Sequence, residues 1–491
     1  MPSAVPASES LSVLFVTPEC APLVKTGGLG DVSAALPAAL RALGLDARVL
    51  LPGYPAVIAA RPGAAELARL QVLGHDVRLL DSHLPNGVPL LIADCPALFA
   101  RSGSPYQRDD GADWEDNALR FGVLSKLAAT LGTNASPFDW LPDVIHCNDW
   151  PTALAPVYLA HLAEAHAATV TTIHNLAFQG VYSGERVAGL ALPAAAWGQD
   201  SMEYWGKLSF LKGGLTASDA ITTVSPTYAR EIQGEALGMG LDGVLRQRFD
   251  RLHGVLNGID TGLWNPLADP HIASPYGPLT LDRKRPNKLA LKRRLGLAGA
   301  NEKPLMGMVT RLTHQKGIDL LVGAAESLVA MGAQVVVVGV GDRELATALS
   351  VLPVRYPGDF AVAIEFNEAL AHQIEAGADM FLMPSRFEPC GMNQMYSQRY
   401  GTPPVANATG GLVDTIEDDS RSVTEKPTGF LMDDTTSGAL ALAAERAMVA
   451  WRDPRRWRSI QLNGMAKDFG WELAARKYRE IYEQINGVRH Q

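Results

Sequence analysis

The sequence predicts an α/β protein built from two Rossmann-like, doubly wound domains, and three observations carry that reading. The chain has 491 residues, more than the roughly 250–300 at which a single hydrophobic core stops growing. The succession strand, polar or glycine-rich loop, helix, strand begins at Leu11 and begins again at Lys303, and each is the opening of a doubly wound sheet. Apolar runs such as Val335–Val340 have the length and β-branched character of buried parallel strands, and fall far short of the ~20 residues of a membrane helix.

In the first opening, Leu11–Val16 is the predicted strand, following a frayed tail. The loop Lys25-Thr-Gly-Gly-Leu-Gly-Asp31 comes next, then a helix from about Val32 to Leu43 and a strand at Ala47–Leu51. In the second, Lys303–Leu312 is the strand, Thr313–Gly317 the loop, Ile318–Met331 the helix and Gln334–Asp342 the next strand. These elements define an N-terminal domain over 1–256 and a second over 257–470, with the Pro-rich, polar stretch Asn265–Lys288 near the boundary. The remaining 471–491 reads as a helix with Trp471, Ala474, Tyr478, Ile481 and Ile485 on one face. The pattern does not select which domain receives that face; the N-terminal domain is one candidate.

Bulk properties narrow the function classes. A net charge of -9 argues against nucleic acid as a partner, because duplex binding rests on neutralising phosphates with Lys and Arg. Cys20, Cys95, Cys147 and Cys390 are scattered, without a C-x-x-C pair, which suits a reducing compartment better than a disulfide framework. The first ten residues have neither a basic nor an apolar region, so no secretory signal is expected. A cytoplasmic protein with no membrane or nucleic-acid partner is the expectation.

Several segments could carry chemistry. Lys25 with Gly27 and Gly28 lies at a strand-to-helix turn, where backbone N–H groups and the helix dipole favour an anion; a tight turn with a solvated lysine is the plainer alternative. Arg311 and Lys316 follow the strand of the second opening and suit a pyrophosphate, or are two surface cations. In Ser385–Gly391, Glu388 can accept from sugar hydroxyls while the amides of Cys390 to Met392 donate; Cys390 is equally well a small buried residue. Thr409-Gly410-Gly411 forms another glycine turn suited to phosphate. Asp149, in His146–Trp150, and His174, in His174–Gly180, each follow an apolar strand, where ligands bind in such sheets, although a lone His is more often structural. No spacing typical of a metal site, no nucleophile elbow and no Ser-His-Asp order is present.

Taken in order, KTGGLGD, HNLAFQG, GVLNGID, RLTHQKG, SRFEPCGMNQMY and TGGLVDT resemble the motifs of bacterial glycogen synthases and plant starch synthases, retaining glycosyltransferases of the GT-B fold. The resemblance runs from about Val13 to Tyr482. It implies two Rossmann-like domains facing across a cleft, and transfer of glucose from ADP-glucose to the non-reducing 4-hydroxyl of an α-1,4-glucan with release of ADP. No metal and no cofactor beyond this co-substrate is implied. Lys25 and the Gly27–Gly28 turn are then expected at the nucleotide-sugar phosphates, as are Thr409, Gly410 and Gly411. Arg311 and Lys316 are expected at the diphosphate, and Glu388, Cys390 and Gly391 at the glucose hydroxyls. His174 is expected beside the glucosyl carbon, Asp149 on the acceptor side, and Phe366 against the nucleobase, where the family usually has an aromatic residue.

Two departures stand out. Many bacterial relatives read H-A-H-D-W where this chain has His146-Cys-Asn-Asp-Trp150. Where the wider superfamily repeats a glutamate eight positions after the first, this chain has Tyr396, as glycogen synthases do and unlike sucrose and trehalose synthases. With no carboxylate nucleophile evident, a front-face displacement without a glycosyl-enzyme intermediate is the expected mechanism. A transferase that builds a disaccharide or lipid-linked sugar, and a catalytically inactive glycan-binding protein, are the alternatives.

Overall fold

The computed structural model describes residues 10–162, 164–299, 303–419 and 426–489; the tail at 1–9 lies outside them. These residues form two compact units, one of residues up to Gly258 together with Trp471 onward, the other Ile259–Gly470.

Unit 1 contains the strands β1 (Ser12–Val16), β2 (Asp46–Pro52), β3 (Ala65–Val72), β4 (His75–His83), β5 (Pro89–Asp94), β6 (Val144–Asn148), β7 (Ala168–Ile173), β8 (Val181–Tyr182), β9 (Glu203–Tyr204), β10 (Lys207–Ser209), β11 (Ala220–Thr223) and β12 (Leu252–Gly254). Nine of them form a sheet in the order β12-β11-β7-β6-β1-β2-β5-β4-β3. It is parallel from β12 to β5 and antiparallel through β4 and β3. Strands β1, β6 and β7 are buried along nearly their whole length, which explains why they read as continuous apolar runs rather than alternating ones. From β1 the chain winds outward through β2 and then returns to the other side at β6, so the topological switch point lies between β1 and β6.

The helix after β1 spans Gly28–Ala42 rather than starting near Val32. Glycines have low helix propensity, but here they occupy the first turn, and Gly30 lies against the Lys25 side chain with little room for a Cβ. Pro37 lies inside this helix without ending it.

The helix Glu472–Arg489 belongs to unit 1. Its Trp471-to-Ile485 face joins the core cluster of β1, β2, β5, β6 and the helix Asn117–Leu131. One polar contact is added at the centre: the Tyr482 hydroxyl lies 2.7 Å from Nδ1 of His146, whose Nε2 meets the Thr172 hydroxyl. His146 is fully buried, and burial, reinforced by His174, pushes its ring down to about 3, so it is a neutral hydrogen-bonding group inside the sheet.

Unit 2 is a six-stranded, wholly parallel sheet of β13 (Leu305–Val309), β14 (Gln334–Val338), β15 (Phe360–Ala363), β16 (Met380–Met383), β17 (Pro404–Asn407) and β18 (Phe430–Met432). The order β15-β14-β13-β16-β17-β18 is the doubly wound 3-2-1-4-5-6 arrangement, with its switch point between β13 and β16. The Pro-rich stretch near Asn265–Lys288 is not a loose connector. Tyr276 donates to the Tyr400 carbonyl at 2.7 Å, and the Tyr400 hydroxyl donates to buried Asp269 at 2.6 Å. Its prolines shape a segment that wraps unit 2, and its apolar and aromatic residues supply the burial that a composition count does not reveal.

Tyr482→Phe should leave a buried nitrogen of His146 without its partner and destabilise unit 1 by about 1–3 kcal/mol. Urea unfolding followed by tryptophan fluorescence would measure this, and an unchanged midpoint would mean that the C-terminal helix is held by apolar contacts alone.

Candidate active site

The residues that the sequence singled out lie in loops that follow strands of the two sheets, several of them beside the switch points. In unit 1 the loop after β1 is organised by Glu19, a buried carboxylate. It accepts from the Thr26 amide at 2.6 Å, the Thr26 hydroxyl, the Gly27 amide at 3.2 Å and the hydroxyl of Tyr106. The Gly27 amide is therefore committed to the protein, whereas the Gly28 amide, opening the helix, has no hydrogen bond among the described residues. A Cβ on Gly27 would meet open space, so packing within the chain does not explain that glycine. Lys25 is half-exposed and pairs with Asp31 at 2.8 Å, an exposed contact of small energetic weight.

Asp149 and His174 end the neighbouring strands β6 and β7, where Asn148 pairs with Thr172. Asp149 has φ 55° and ψ -174°, a combination that is essentially glycine's alone and costs a side-chain-bearing residue ~1–3 kcal/mol. The strain is sustained by two contacts. Its amide donates to the Thr172 carbonyl at 2.9 Å, and its Oδ1 accepts from the His174 amide at 2.7 Å and, more weakly, the Asn175 amide at 3.4 Å. Burial pushes this carboxyl up to about 7, against those amides, which lower it, and with Glu19 adding to the rise. The His174 ring donates from Nε2 to Asn148 Oδ1 at 2.9 Å, and burial pushes it down to about 3. Next door, Trp150 lies against Gly180, which has φ +59° and no room for a Cβ beside the indole. The last glycine of the HNLAFQG segment is thus required by the tryptophan of the HCNDW segment.

In unit 2 the loop after β13 and the loop after β16 interlock. The Arg386 amide donates to the Gln315 carbonyl at 2.8 Å, Gln315 Nε2 donates to the Phe387 carbonyl at 3.1 Å, and the Arg386 guanidinium holds Asp319. Gly317 (φ +69°) leaves no space for a Cβ against the Pro384 carbonyl. This clasp brings Lys316 onto Glu388: the ammonium pairs with Oε2, which also accepts from the Ser385 hydroxyl at 2.9 Å. Both side chains are largely buried. Arg311, expected beside Lys316, is exposed and its guanidinium has no partner among the described residues. Phe366 is 80% exposed on the loop between β15 and the helix Glu368–Gly377, an unusual exposure for a ring of that size.

Thr409 caps the helix Gly410–Thr415. A Cβ at Gly410 or Gly411 would lie about on the carbonyl oxygens of Glu388 and Cys390, and the Gly411 amide donates to the Glu388 carbonyl at 3.1 Å. The two glycines let this turn lie directly on the backbone of the Glu388 segment, a packing reason that adds to the expected phosphate role. Cys390 is buried, and Gly391 takes φ +70° just before the helix Asn393–Arg399.

The chain matches a family with known members. A family model described as starch synthase catalytic domain matches residues 12–247, and one described as glycosyl transferases group 1 matches 296–461. The chain is 52% identical to a glycogen synthase of Aromatoleum aromaticum over 96% of both chains. It is 51% identical to a glycogen synthase of Dechloromonas aromatica over 98% of this chain and 99% of the relative. The chain belongs to the glycogen synthase family. It is similar in structure, with a TM-score of 0.87 and 31% identity, to the catalytic domain of starch synthase IV from Arabidopsis thaliana bound to ADP and acarbose, covering 97% of this chain and 100% of that one. Its two Rossmann-like units are those of the GT-B fold, and like other glycogen synthase family members it is a hexosyltransferase enzyme.

Glu19, Tyr106, Ser385 and Asn148 were not singled out as site residues from the sequence. Glu19 carried a faint signal, an acidic residue just past a strand end and before a glycine loop; Tyr106 and Asn148 act through partners far away in sequence, and Ser385 lies three residues from the Glu388 it supports. Among the described residues no group of three His, Cys, Asp or Glu side chains is disposed to hold a metal ion, and no helix is long and apolar enough to cross a membrane.

Two outcomes follow for the family member. Because the folded Asp149 binds its proton up to about pH 7 whereas an unfolded aspartate releases it near ~4, its contribution to stability is present at acid pH and lost as pH rises through that window. Asp149→Asn, which keeps an acceptor for the His174 amide, should lessen the loss of stability between pH 5 and 8 in urea titrations; equal slopes would show that Asp149 titrates normally. Separately, Lys316→Ala should destabilise unit 2 by about 3 kcal/mol by stranding a buried carboxylate, with much of that recovered in the Lys316→Ala/Glu388→Ala double variant. Additive effects would mean that the pair is not coupled.

Proposed function

We propose that this protein transfers glucose from ADP-glucose to the non-reducing 4-hydroxyl of an α-1,4-glucan with retention of configuration, releasing ADP. The observation that carries the reading is the pairing of Lys316 with Glu388 at the unit 2 switch point, with Arg311, unpartnered among the described residues, on the same loop. A cation suited to a diphosphate and a carboxylate suited to sugar hydroxyls lie within hydrogen-bond reach of one another, as the two ends of a nucleotide sugar require. The names of the relatives support the glucan product, and the ADP bound to the starch synthase IV domain supports ADP as the leaving nucleotide.

In this reading Arg311 and Lys316 stabilise the charge that grows on the departing diphosphate. Lys25 and the amide of Gly28 add to it, helped by the N-terminus of the helix Gly28–Ala42. Glu388, with the backbone at Cys390 and Gly391, holds the glucose hydroxyls, and Phe366 offers its exposed face to the nucleobase. Thr409, Gly410 and Gly411 support the Glu388 backbone from below and present the next strand-to-helix turn to phosphate. The His174 carbonyl and ring stabilise positive charge at the glucosyl carbon; a ring pushed down to about 3 is neutral there and adds no repulsion. Asp149 fixes the His174 peptide and lies toward the acceptor. A leaving phosphate oxygen takes the proton of the incoming 4-hydroxyl, a front-face displacement with neither a metal nor a glycosyl-enzyme intermediate. A cytoplasmic location belongs to the same reading, supported by four buried cysteines that are free thiols.

The test is nucleotide release with a glycogen primer, comparing ADP-glucose with UDP-glucose. ADP release with chain growth is expected, reduced by roughly 10²–10³ in kcat for Arg311→Ala. Glu388→Ala should lower kcat more than it raises KM, and Lys25→Ala should lose most activity. Preference for UDP-glucose would overturn the donor, extension of only a small acceptor would overturn the glucan product, and a covalent glucosyl adduct seen by mass spectrometry would overturn the mechanism.

A further inference from the structure

We infer that Asn148 is a positioning residue that fixes the tautomer of His174, keeping the proton on Nε2 and leaving Nδ1 as an acceptor for a substrate hydroxyl. The inference rests on the proposed role of His174 beside the transferred glucosyl group.

Asn148 is the last residue of β6 and is fully buried. Its Nδ2 donates to the Val16 carbonyl at 2.9 Å and reaches the His146 carbonyl at 3.4 Å. Carbonyl oxygens only accept, so these two contacts determine which way the amide points: the nitrogen faces β1 and the oxygen faces His174. That oxygen lies 2.9 Å from His174 Nε2. An amide oxygen also only accepts, so the proton of the His174 ring must be on Nε2. The other tautomer would set two lone pairs against each other at that distance, inside the protein, where no water can intervene.

The consequence appears on the far edge of the ring. A neutral imidazole carries one N–H, so with Nε2 protonated Nδ1 is a bare lone pair. It has no partner among the described residues. Burial, which pushes the ring down to about 3, keeps the second proton off at neutral pH. Toward a bound hexosyl group His174 therefore accepts a hydrogen bond and does not donate one. Asp149 holds the main chain of His174 and Asn148 holds its ring, so two consecutive residues set one histidine.

A histidine at 148 satisfies the same logic, since imidazole also offers one N–H to the Val16 carbonyl and one lone pair to His174 Nε2. An aspartate does not: it accepts from His174 but cannot donate to Val16, and its charge favours a doubly protonated His174.

The experiment uses the full chain labelled with ¹⁵N-histidine, with His174→Gln identifying the His174 signals in two-bond ¹H–¹⁵N spectra. The wild type should show the Nε2–H tautomer, retained in Asn148→His. Asn148→Ala should show mixed tautomers and Asn148→Asp an imidazolium. By analogy with supporting partners of functional histidines, kcat should fall about ten- to a hundredfold in both while KM for ADP-glucose changes less than about threefold, and Asn148→His should keep kcat within about threefold of wild type. Should Asn148→Ala fail to fold, the contrast between Asn148→His and Asn148→Asp decides. An Nδ1–H tautomer in the wild type, an unchanged tautomer in Asn148→Ala, or undiminished kcat with a scrambled tautomer would each overturn the inference. A wild type that releases no ADP from ADP-glucose would instead sink the proposed reaction, and the spectra would still report on the tautomer by themselves.

Discussion

The carboxylate of Asp149, folded back onto the amide of His174, is the contact on which the unit 1 site depends. Strand β7 ends at Ile173, and without a partner the His174 amide would be free to turn with the loop that follows. Asp149 reaches it only because its own backbone adopts a conformation that residues with side chains avoid. The strain is local and modest, ~1–3 kcal/mol, and the parallel pairing of β6 with β7 sustains it, since Asn148 and Thr172 are in register one residue earlier. From that turn the remaining relations follow. Asn148 faces the His174 ring, Trp150 passes over Gly180, and His146, two residues upstream, ties the same strand to the C-terminal helix.

Unit 2 reaches a comparable rigidity by other means. Its loops do not rely on one strained residue but on glycines where backbones touch. Gly317 lies on the Pro384 carbonyl, Gly339 on that of Thr310, and Gly410 and Gly411 on those of Glu388 and Cys390. Each contact removes the space a side chain would need, so the loops after β13, β14, β16 and β17 stack as bare backbone. Side chains can then be spent on chemistry: Lys316 and Glu388 meet because the peptide chains beneath them are already in contact.

Much of this was legible in the sequence, because the elements that matter are long apolar runs ending in polar, glycine-rich turns. Strands β1, β2, β13 and β14 emerge within a residue or a few of their predicted ends, since burial on both faces makes their sequences continuous. The helix start at Gly28 was not, because helix propensity counts against glycine while position in the first turn does not. The candidate residues were visible as types at strand ends, but their partners were not. That Lys316 faces Glu388, or that Glu19 consumes the Gly27 amide, depends on loops brought together by the sheet order, which no local pattern encodes. The Asn148 that stands where many relatives have a second histidine was visible only as a departure; its hydrogen bonds show an amide that donates to the Val16 carbonyl and accepts from the His174 ring.

The ion pairs at the two lysines bear on how a nucleotide sugar is recognised under the proposed reading. Lys316 satisfies a buried carboxylate, so a diphosphate that draws on that ammonium weakens the support of Glu388. Leaving a buried carboxylate short of donors is costly. Sugar hydroxyls donate, and under the proposed reading they restore what Glu388 gives up, whereas a nucleotide without its sugar does not. Lys25 differs, for its partner Asp31 is part-exposed and readily hydrated, so it can be withdrawn at little loss. Under the proposed reading the two lysines have unlike parts: Lys25 adds attraction for any suitable anion, and Lys316 couples attraction for the phosphate to the presence of a hydroxyl-bearing group beside it. In that reading, discrimination between intact donor and spent nucleotide arises from the buried pair rather than from the number of cations.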